Sequence, residues 1–398
     1  MNIIVQKFGG TSVSTPERRK QVINKVEKAI KDGYTPVVVV SAMGRKGEPY
    51  ATDTLLSLID ESFKMENKQA TDLLMGCGEI ISSVVMTNEL KFRGIKAMPL
   101  TGGQAGIITN SNFSEAELNN VKTDNILSLI ERGFTPVVTG FQGIDENGYL
   151  TTLGRGGSDT SAAILGVALN AKEVQIYTDV DGIMTADPRI VKKPALIDKI
   201  SYNEVFQLAD QGAKVIHPRA VEVAMKGNIT LVIKNTLSEC EGTLINNFGD
   251  VDGYRIISGI THMDSRIQIK VSQENNDGNK NYKEILNTLA KNNISLDLIN
   301  IFPKDKIFTI DAKDKSKLID LLDSINIKFD LAENCSKVSI IGSGMKGIPG
   351  VMAKLLVALD SEGIEVLQTA DSHTTIWCLI HSEKVNKAIN ILHNVFMG

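Results

Sequence analysis

The sequence predicts an α/β protein: an open three-layer α/β sandwich followed by two smaller α+β modules. Three observations support this prediction. Over the first two-thirds of the chain, short apolar, β-branched segments alternate with stretches of helical periodicity. Around residues 245–255 the composition becomes polar and turn-rich, as in a linker. Beyond it, a βαββα pattern occurs twice, with a repeat of about 70 residues.

Composition narrows the class of protein. The chain has 398 residues, a formal net charge of −4 and 42% hydrophobic residues, as ordinary soluble globular proteins do. Its mild acidity argues against nucleic-acid and anionic-membrane partners, which need a dense basic surface. No stretch approaches the roughly 20 apolar residues of a membrane helix. The four cysteines are far apart and the N-terminus has no long apolar segment, so we expect a reduced, cytoplasmic protein without a zinc site.

The first part, residues 1–245, is predicted to contain one parallel sheet. Asn2–Gln6 is the first strand, and the fully apolar run Pro36–Val40 is typical of a strand buried on both faces. The further predicted strands are Ile95–Leu100, Thr135–Thr139, Val174–Tyr177 and Ile229–Ile233. The predicted helices include Asp72–Phe92, Ser158–Asn170, Tyr202–Ala209 and Pro218–Lys226. This alternation implies crossover connections between parallel strands.

The second part follows a linker at residues 246–255 and is divided into modules at 256–332 and 333–398. The elements predicted for the first module are Arg266–Val271, Tyr282–Asn292, Ser295–Ile301, Lys306–Asp311 and Lys315–Ile325. Those of the second module are Lys337–Ile341, Gly350–Glu362, Glu365–Thr369, Thr374–His381 and Glu383–Phe396. A sheet of this kind usually needs one more strand, and Arg255–Thr261 could supply it to the second module. We therefore expect the two modules to be interleaved.

Two glycine-rich loops could bind anions. In the first, Lys7 precedes Gly9 and Gly10 at a strand end, where glycines let the backbone approach a phosphate. The lysine precedes the glycines, so this is neither a P-loop nor a dinucleotide fingerprint, and a plain glycine turn is the alternative. In the second, Arg155 lies among three glycines and suits a carboxylate. Ser158 is the predicted N-cap of the helix that follows, with Asp159 in its first turn; a capped helix without a ligand is the alternative.

Two further segments are ambiguous by themselves. Asp179-x-Asp181-Gly182 is similar to the start of a calcium loop, but Ile183 takes a ligand position and the terminal glutamate is missing, so calcium is excluded. A turn after a strand is instead where open α/β sheets bind nucleotides. Lys214 could simply be a solvent-exposed lysine before a helix. We interpret His217, three residues later, as structural.

Taken together, these segments resemble the aspartokinase family. The matching segments are Lys7–Val13, Ser41–Gly44, Gly78-Glu79, Gly154–Asp159, Thr178–Arg189 and Gly212–Pro218, in the family's order and at fitting spacing. The tail resembles the paired ACT modules of that family, so the likeness covers the whole chain. It is closest to the single-polypeptide, diaminopimelate-sensitive isozymes of Gram-positive bacteria. The resemblance implies an amino acid kinase fold followed by two ferredoxin-like ACT modules.

The resemblance also implies the reaction. MgATP would phosphorylate the β-carboxylate of L-aspartate to 4-phospho-L-aspartate, the first step toward lysine, diaminopimelate, threonine and methionine. A carboxylate nucleophile is ionised at neutral pH, so no general base is needed. The protein must instead bring two anions together and neutralise charge on the transferred phosphoryl group. Mg²⁺ would be held by ATP oxygens and water, so we name no protein metal ligand.

The family's functional residues carry over to matching positions. The catalytic set is Lys7, Asp159 and Lys214, of which the lysines contact the phosphates and the aspartate orients a lysine. The ATP-binding set is Lys7, Phe8, Gly9, Gly10, Ser41, Tyr177, Thr178, Asp179, Ile183, Met184, Asp187, Pro188, Arg189, Lys214 and Val215. The substrate-binding set is Ser41, Thr52, Glu79, Arg155, Gly156, Gly157 and Ser158. Within it, Glu79 faces the substrate ammonium group and Arg155 faces its α-carboxylate. Met184 stands where the family often has a tyrosine.

Regulation is expected in the tail. The effector set, in the second module, is Met345, Ile348, Pro349, Gly350, Ser372 and Thr374. In the first module, Gln273–Gly278 departs from the family's aspartate–proline–glycine turn. The likeness favours meso-diaminopimelate as effector over lysine or threonine, and a homo-oligomer, a dimer through the ACT modules. Two rival hypotheses are a kinase for another amino acid and a catalytically inactive sensor that uses the tail alone; the retained charged residues argue against the second.

Overall fold

The computed structural model describes residues 1–213, 215–250, 255–272, 282–345 and 347–398, without the side chains of 282–284. The chain forms two compact units. The first comprises Met1–Ile183, Leu196–Ala209 and Lys214–Asp252, and the second comprises Met184–Ala195, Asp210–Ala213 and Gly253–Gly398. Two short segments from the first part of the sequence therefore fold with the tail.

An eight-stranded sheet forms the centre of the first unit. Its strands are β1 (Ile3–Phe8), β2 (Thr35–Val40), β3 (Ala97–Leu100), β6 (Thr135–Thr139), β9 (Val174–Thr178), β10 (Lys199–Ser201), β11 (Leu231–Asn235) and β12 (Thr243–Asn246). Their order is β10-β12-β11-β9-β1-β2-β6-β3, and all neighbours are parallel except β11 and β12. The parallel sheet predicted from the sequence is thus confirmed.

Helices connect these strands. They are α1 (Gly10–Val13), α2 (Pro16–Lys31), α3 (Thr52–Leu56), α4 (Glu61–Glu66), α5 (Lys68–Phe92), α6 (Asp124–Glu131), α7 (Gly157–Ala168), α8 (Tyr202–Asp210) and α9 (Pro218–Lys226). Helix α2 begins at a proline after Thr15, whose side chain accepts a hydrogen bond from the Arg18 N–H group. It buries Val22, Ile23 and Val26 in the core beneath the sheet. Apolar spacing thus determines which face of the helix is buried.

Helix α5 is long and apolar enough to cross a membrane by length and composition alone, and no other helix in the described ranges is. The sequence-based expectation missed this. Nearly half of the window that passes this test, 44%, is buried within the protein. The helix also carries two buried carboxylates, Asp72 and Glu79, both with hydrogen-bond partners from other elements. These features are those of a core helix.

A second, four-stranded sheet was not predicted. Its strands are β4 (Ile107–Thr109), β5 (Leu118–Val121), β7 (Gln142–Ile144) and β8 (Leu150–Thr152), in the order β5-β4-β7-β8. Segments of three or four residues are too short to show strand periodicity, which explains the omission. Strand β8 leads directly into the glycine-rich loop that precedes α7.

The described residues of the second unit form a six-stranded antiparallel sheet and four α-helices. Its strands are β13 (Gly259–Ser272), β14 (Asp297–Ile301), β15 (Asp305–Asp311), β16 (Asp330–Ile341), β17 (Gln368–Asp371) and β18 (Thr375–His381). The order is β14-β15-β13-β16-β18-β17. The helices are α10 (Tyr282–Lys291), α11 (Lys315–Ser324), α12 (Val351–Asp360) and α13 (Val385–Met397). The predicted strand Glu365–Thr369 was wrong in extent, since the ladder with β18 begins only at Gln368.

The interleaving of the two modules is confirmed. The start of β13, Gly259–Met263, pairs with the end of β16, and the remainder of β13 pairs with β15 and the start of β16. Each long strand therefore belongs to both modules. The modules have separate apolar cores, one around Phe308 and the other around Leu355. The second core also includes Ala186 and Val191, from one of the two short segments that fold with the tail.

Candidate active site

A cavity of about 240 Å³ lies in the first unit, at the carboxyl ends of the parallel strands. Ligands bind at this edge in open α/β sheets. The cavity is lined by Lys7, Ser41, Thr52, Glu79, Phe141, Gly154, Arg155, Gly156, Gly157, Ser158 and Asp159. The structure therefore brings the whole predicted substrate-binding set together with two members of the predicted catalytic set. The third, Lys214, lies outside the described residues.

Lys7 is held by an ion pair inside the cavity. It is near the end of β1 and is only 9% exposed. Its Nζ lies 2.6 Å from Oδ1 of Asp159, in the first turn of α7. An ammonium group has three N–H donors, so this pair leaves donors that can meet phosphate oxygens. The carboxylate also compensates the charge of a lysine that is largely shielded from water.

The turn after β1 is packed closely against the turn after β2. The Gly44 N–H group donates to the Gly10 carbonyl (3.1 Å), and the Ser41 N–H group donates to the Phe8 carbonyl (3.2 Å). A Cβ atom at Gly10 would lie 2.5 Å from the Ala42 carbonyl oxygen, so only glycine fits. This contact places Ser41 beside Lys7 in the cavity wall.

Glu79 is a buried carboxylate with one unsatisfied oxygen. The residue is 3% exposed, and its Oε1 accepts a hydrogen bond from the Ala42 N–H group (3.1 Å). Its Oε2 is buried without a hydrogen-bond partner among the described residues. Burial raises the pKa of Glu79 to about 8. An unpaired acceptor in a cavity suits a ligand that carries an ammonium group.

The loop before α7 corrects one sequence-based prediction. The N-cap of α7 is Gly156, with φ of 68°, so the prediction that Ser158 caps the helix was wrong. A Cβ atom at Gly156 would come within 2.2 Å of His217, which excludes a side chain there. Arg155 is exposed, lines the cavity and makes no hydrogen bond or ion pair with the described residues. Its guanidinium is thus available to a carboxylate.

His217 has the structural role that the sequence indicated. Its Nδ1 accepts a hydrogen bond from the Arg219 N–H group (3.3 Å) and so caps α9. Burial lowers the pKa of His217, which favours the neutral imidazole that can act as an acceptor.

The remaining members of the predicted ATP-binding set have varied surroundings. Phe8 and Tyr177 are buried and stack on each other with ring centroids 4.7 Å apart. Asp179 is exposed and pairs with Arg45 at 2.9 Å. Ile183 is buried, and its N–H group donates to Thr243. The other members of this set in the first unit are Gly9, Thr178 and Val215, whereas Met184, Asp187, Pro188 and Arg189 belong to the second unit.

Sequence reasoning missed two charged residues near the cavity. Asp72 is fully buried on α5 and accepts hydrogen bonds from Ser114 and Thr152. Arg219 donates to the carbonyl groups of Leu153 and Ala116. The only sequence signals were an aspartate at the start of one predicted helix and an arginine directly after the proline that begins another. Among the described residues there is no cluster of three or more His, Cys, Asp or Glu side chains that could hold a metal ion.

Comparisons with known proteins agree with this architecture. The amino acid kinase family model matches residues 2–235, and an ACT domain model matches residues 330–394. The structure of *Escherichia coli* aspartokinase III with aspartate and ADP aligns with a TM-score of 0.80 at 24% identity, covering 100% of both chains. That of *Clostridium acetobutylicum* aspartate kinase gives a TM-score of 0.80 at 23% identity, covering 99% of this chain and 100% of the other. Fold and site thus define an amino acid kinase with ACT modules.

Sequence relatives show which family of amino acid kinases this chain is similar to. *Bacillus subtilis* aspartokinase 1 is 44% identical over 401 residues, covering 100% of this chain and 99% of the relative. A *Helicobacter pylori* aspartokinase is 39% identical, covering 99% of both chains. The chain belongs to the aspartokinase family, which confirms the resemblance and the fold class predicted from the sequence.

Proposed function

We propose that the cavity around Lys7 and Glu79 is the site where this aspartate kinase binds L-aspartate and transfers the γ-phosphoryl group of ATP to it. The observation that carries the proposal is that one cavity holds both an unpaired carboxylate oxygen and cationic side chains. Glu79 offers an unsatisfied carboxylate oxygen, while Lys7 and Arg155 offer cationic donors. An α-amino acid with a second carboxylate meets all three. The *E. coli* relative was crystallised with aspartate and ADP, which supports both substrates.

In this proposal Glu79 receives the α-ammonium group and Arg155 the α-carboxylate. The side-chain carboxylate then extends toward Lys7. One of its oxygens attacks the γ-phosphorus, the bond to the bridging oxygen breaks, and ADP leaves. No proton transfer is needed because the nucleophile is already ionised. Lys7, oriented by Asp159, neutralises charge on the transferred group, with Ser41 and Thr52 as neighbouring contacts and Lys214 as the second cation by family likeness.

The nucleotide is proposed to meet the turn after β1 and the loop after β9. Gly9 and Gly10 leave the backbone bare beside Lys7. Thr178 is the last residue of the neighbouring strand β9, and Asp179 follows it. Mg²⁺ bound together with the nucleotide would supply positive charge that offsets the charge of the phosphates.

Regulation is proposed to act through the second ACT module. The Gly342 N–H group donates to the Thr374 carbonyl (2.9 Å), so the turns that carry the two halves of the effector set meet at one end of the sheet. Gly350 starts α12 in a left-handed conformation, and Ser372 accepts a bond from the Thr375 N–H group. We propose meso-diaminopimelate as the effector. A related structure contains lysine and aspartate, which supports an amino-acid effector and leaves lysine as the competing candidate.

The two short segments that fold with the tail offer a route for regulation. Gln211 accepts hydrogen bonds from Trp377 (3.0 Å) and Ser339 (3.3 Å), and it precedes Lys214 by three residues. Thr185 is hydrogen-bonded to His393 at 2.9 Å, in the segment that continues to Asp187 and Arg189. A change in the ACT modules would therefore act on two chain segments: the one that contains Asp187 and Arg189, and the one that leads to Lys214.

We further propose a cytoplasmic homodimer formed through the ACT modules. The edge strand β14 and the residue after it expose Ile299, Ile301 and Phe302, at 46%, 60% and 51% exposure. An exposed edge with apolar side chains is an obvious surface for pairing with a second copy.

The test is ADP release from MgATP with L-aspartate, L-glutamate and N-acetyl-L-glutamate offered separately. We expect turnover with L-aspartate alone. Preference for either of the other acids would refute the assignment and favour a different amino acid kinase. Repeating the assay with meso-diaminopimelate, lysine or threonine identifies the effector. Inhibition by lysine alone would overturn the choice of diaminopimelate.

A further inference from the structure

The carboxylate of Asp72, which does not line the cavity, accepts four hydrogen bonds. It is fully buried on α5. Its Oδ2 accepts from the N–H groups of Ser114 (2.9 Å) and Thr152 (2.7 Å). Its Oδ1 accepts from the hydroxyl groups of the same two residues, at 3.2 and 2.9 Å. A buried carboxylate is costly unless it is fully hydrogen-bonded, and this one has four donors.

These bonds connect the two halves of the proposed aspartate site. Asp72 lies about two helical turns before Glu79 on α5, so both project from similar faces of one helix. Thr152 is the last residue of β8 and precedes Arg155 by three residues. Ser114, with φ of 74°, also packs against the loop, because a Cβ atom at Gly154 would lie 3.2 Å from its carbonyl oxygen. One carboxylate thus ties the helix of Glu79 to the loop of Arg155.

Arg219 binds Leu153, the residue that follows Thr152 in the same loop. Its Nη1 donates to the Leu153 carbonyl (2.7 Å) and its Nη2 to the Ala116 carbonyl (2.8 Å). The Ala116 N–H group in turn donates to the Thr152 carbonyl (2.9 Å). The consecutive residues Thr152 and Leu153 are therefore fixed by two different charged side chains. Neither side chain is among the residues that line the cavity.

We infer that Asp72 and Arg219 are positioning residues that fix the Arg155 loop relative to Glu79, and thereby set the affinity for the amino-acid substrate. The inference rests on the proposed roles of Glu79 and Arg155. Geometry sets the direction of the effect. The nucleotide is proposed to bind at the turn after β1 and the loop after β9, and among the described residues the side chains of Asp72 and Arg219 make no hydrogen bond to either. Loosening the loop should weaken aspartate binding and spare ATP binding.

The test is Asp72→Asn in the full-length enzyme, with steady-state kinetics in both substrates. Asn can keep the two N–H contacts through its amide oxygen and can donate from its NH₂ group to the two hydroxyl groups, so the substitution removes the negative charge rather than the hydrogen-bond pattern. We expect the aspartate KM to rise by at least about tenfold, since bonds to a charged group are the strong ones. The ATP KM should change by less than about twofold, within the scatter of a remote substitution. A merely structural defect would instead lower the active fraction and leave both KM values unchanged.

Asp145→Asn is the matched control. Asp145 is also buried (3% exposed) and accepts bonds from Ser111, Asn147 and Tyr149, but it caps the turn between β7 and β8. We expect Asp145→Asn to lower thermal stability and leave the aspartate KM unchanged. Equal rises in the aspartate KM of both variants would overturn the inference.

Two conservative variants keep the test decisive if Asp72→Asn does not fold. Thr152→Val removes only the hydroxyl bond to Asp72, and Arg219→Lys keeps the charge but loses the two-pronged contact. Each should raise the aspartate KM more than the ATP KM. Folded variants with wild-type aspartate KM would refute the inference while leaving the proposed function intact. A wild-type enzyme without aspartate-dependent turnover would refute the proposed function itself.

Discussion

Glu79→Gln tests the ammonium site through its pH dependence. Burial raises the pKa of the Glu79 carboxyl group to about 8, so in the empty enzyme at pH 7 this group is mostly protonated. A substrate ammonium group requires the carboxylate, so aspartate binding must release a proton. Below pH 8 each pH unit then costs about 1.4 kcal/mol of binding free energy. The aspartate KM of the wild type should fall nearly tenfold per unit between pH 6 and pH 8 and then level off.

The glutamine variant keeps the acceptor for the Ala42 N–H group but cannot ionise. Loss of the charge-assisted bond should raise the aspartate KM at pH 8.5 by roughly 10- to 100-fold, equivalent to about 1.4–3 kcal/mol. At pH 6 the difference should shrink, because the wild-type group is then protonated as well. The variant's KM should be nearly independent of pH in this range.

The assay is ADP release at saturating MgATP, from pH 6 to 9. Thermal stability offers an independent check. Because the folded state retains a proton that the unfolded state loses near its ordinary pKa of 4.5, the empty wild-type enzyme should lose stability as pH rises from about 4.5 to about 8. Glu79→Gln should lack that component. A wild-type KM that is flat between pH 6 and 8, or an unchanged slope in the variant, would refute the assignment of Glu79.

Three further predictions follow from the same geometry. Lys7→Ala should lower kcat by at least about a hundredfold with a native circular dichroism spectrum, and near-normal turnover would contradict its role. Arg155→Ala should raise the aspartate KM at least about tenfold and the ATP KM much less, whereas equal effects would show that Arg155 serves the phosphates. Trp377→Phe removes the bond to Gln211 and should weaken feedback inhibition by the effector at unchanged basal kcat; unaltered inhibition would exclude this route.

The parallel sheet could be predicted because its signal is local. Runs such as Pro36–Val40 are apolar throughout, which only burial on both faces explains, and β2 is indeed buried along nearly its whole length. The short strands β4 and β7 carry no such signal and were missed. The N-cap at Ser158 was wrong because Gly156 can adopt a left-handed conformation that starts the helix earlier.

The contacts within the site were harder to predict from short segments of the sequence. Glycine turns and an isolated arginine were visible in the sequence, but the pairing of Lys7 with Asp159 joins residues that are far apart in the sequence and came from family resemblance. The contacts of Asp72 and Arg219 could not be predicted at all, since their partners are far away in sequence. Such pairings depend on how strands and helices pack, which a single sequence does not encode locally.

Identification of the phosphorylated product tests the central claim most directly. The wild-type enzyme is incubated with MgATP and L-aspartate, and the mixture is followed by ³¹P NMR, with hydroxylamine added to a parallel sample to trap an acyl phosphate as the hydroxamate. We predict an acyl phosphate resonance that requires L-aspartate and grows in proportion to ADP, and an aspartyl β-hydroxamate in the trapped sample. Inorganic phosphate as the only new product besides ADP, or ADP formation that is independent of L-aspartate, would contradict the account.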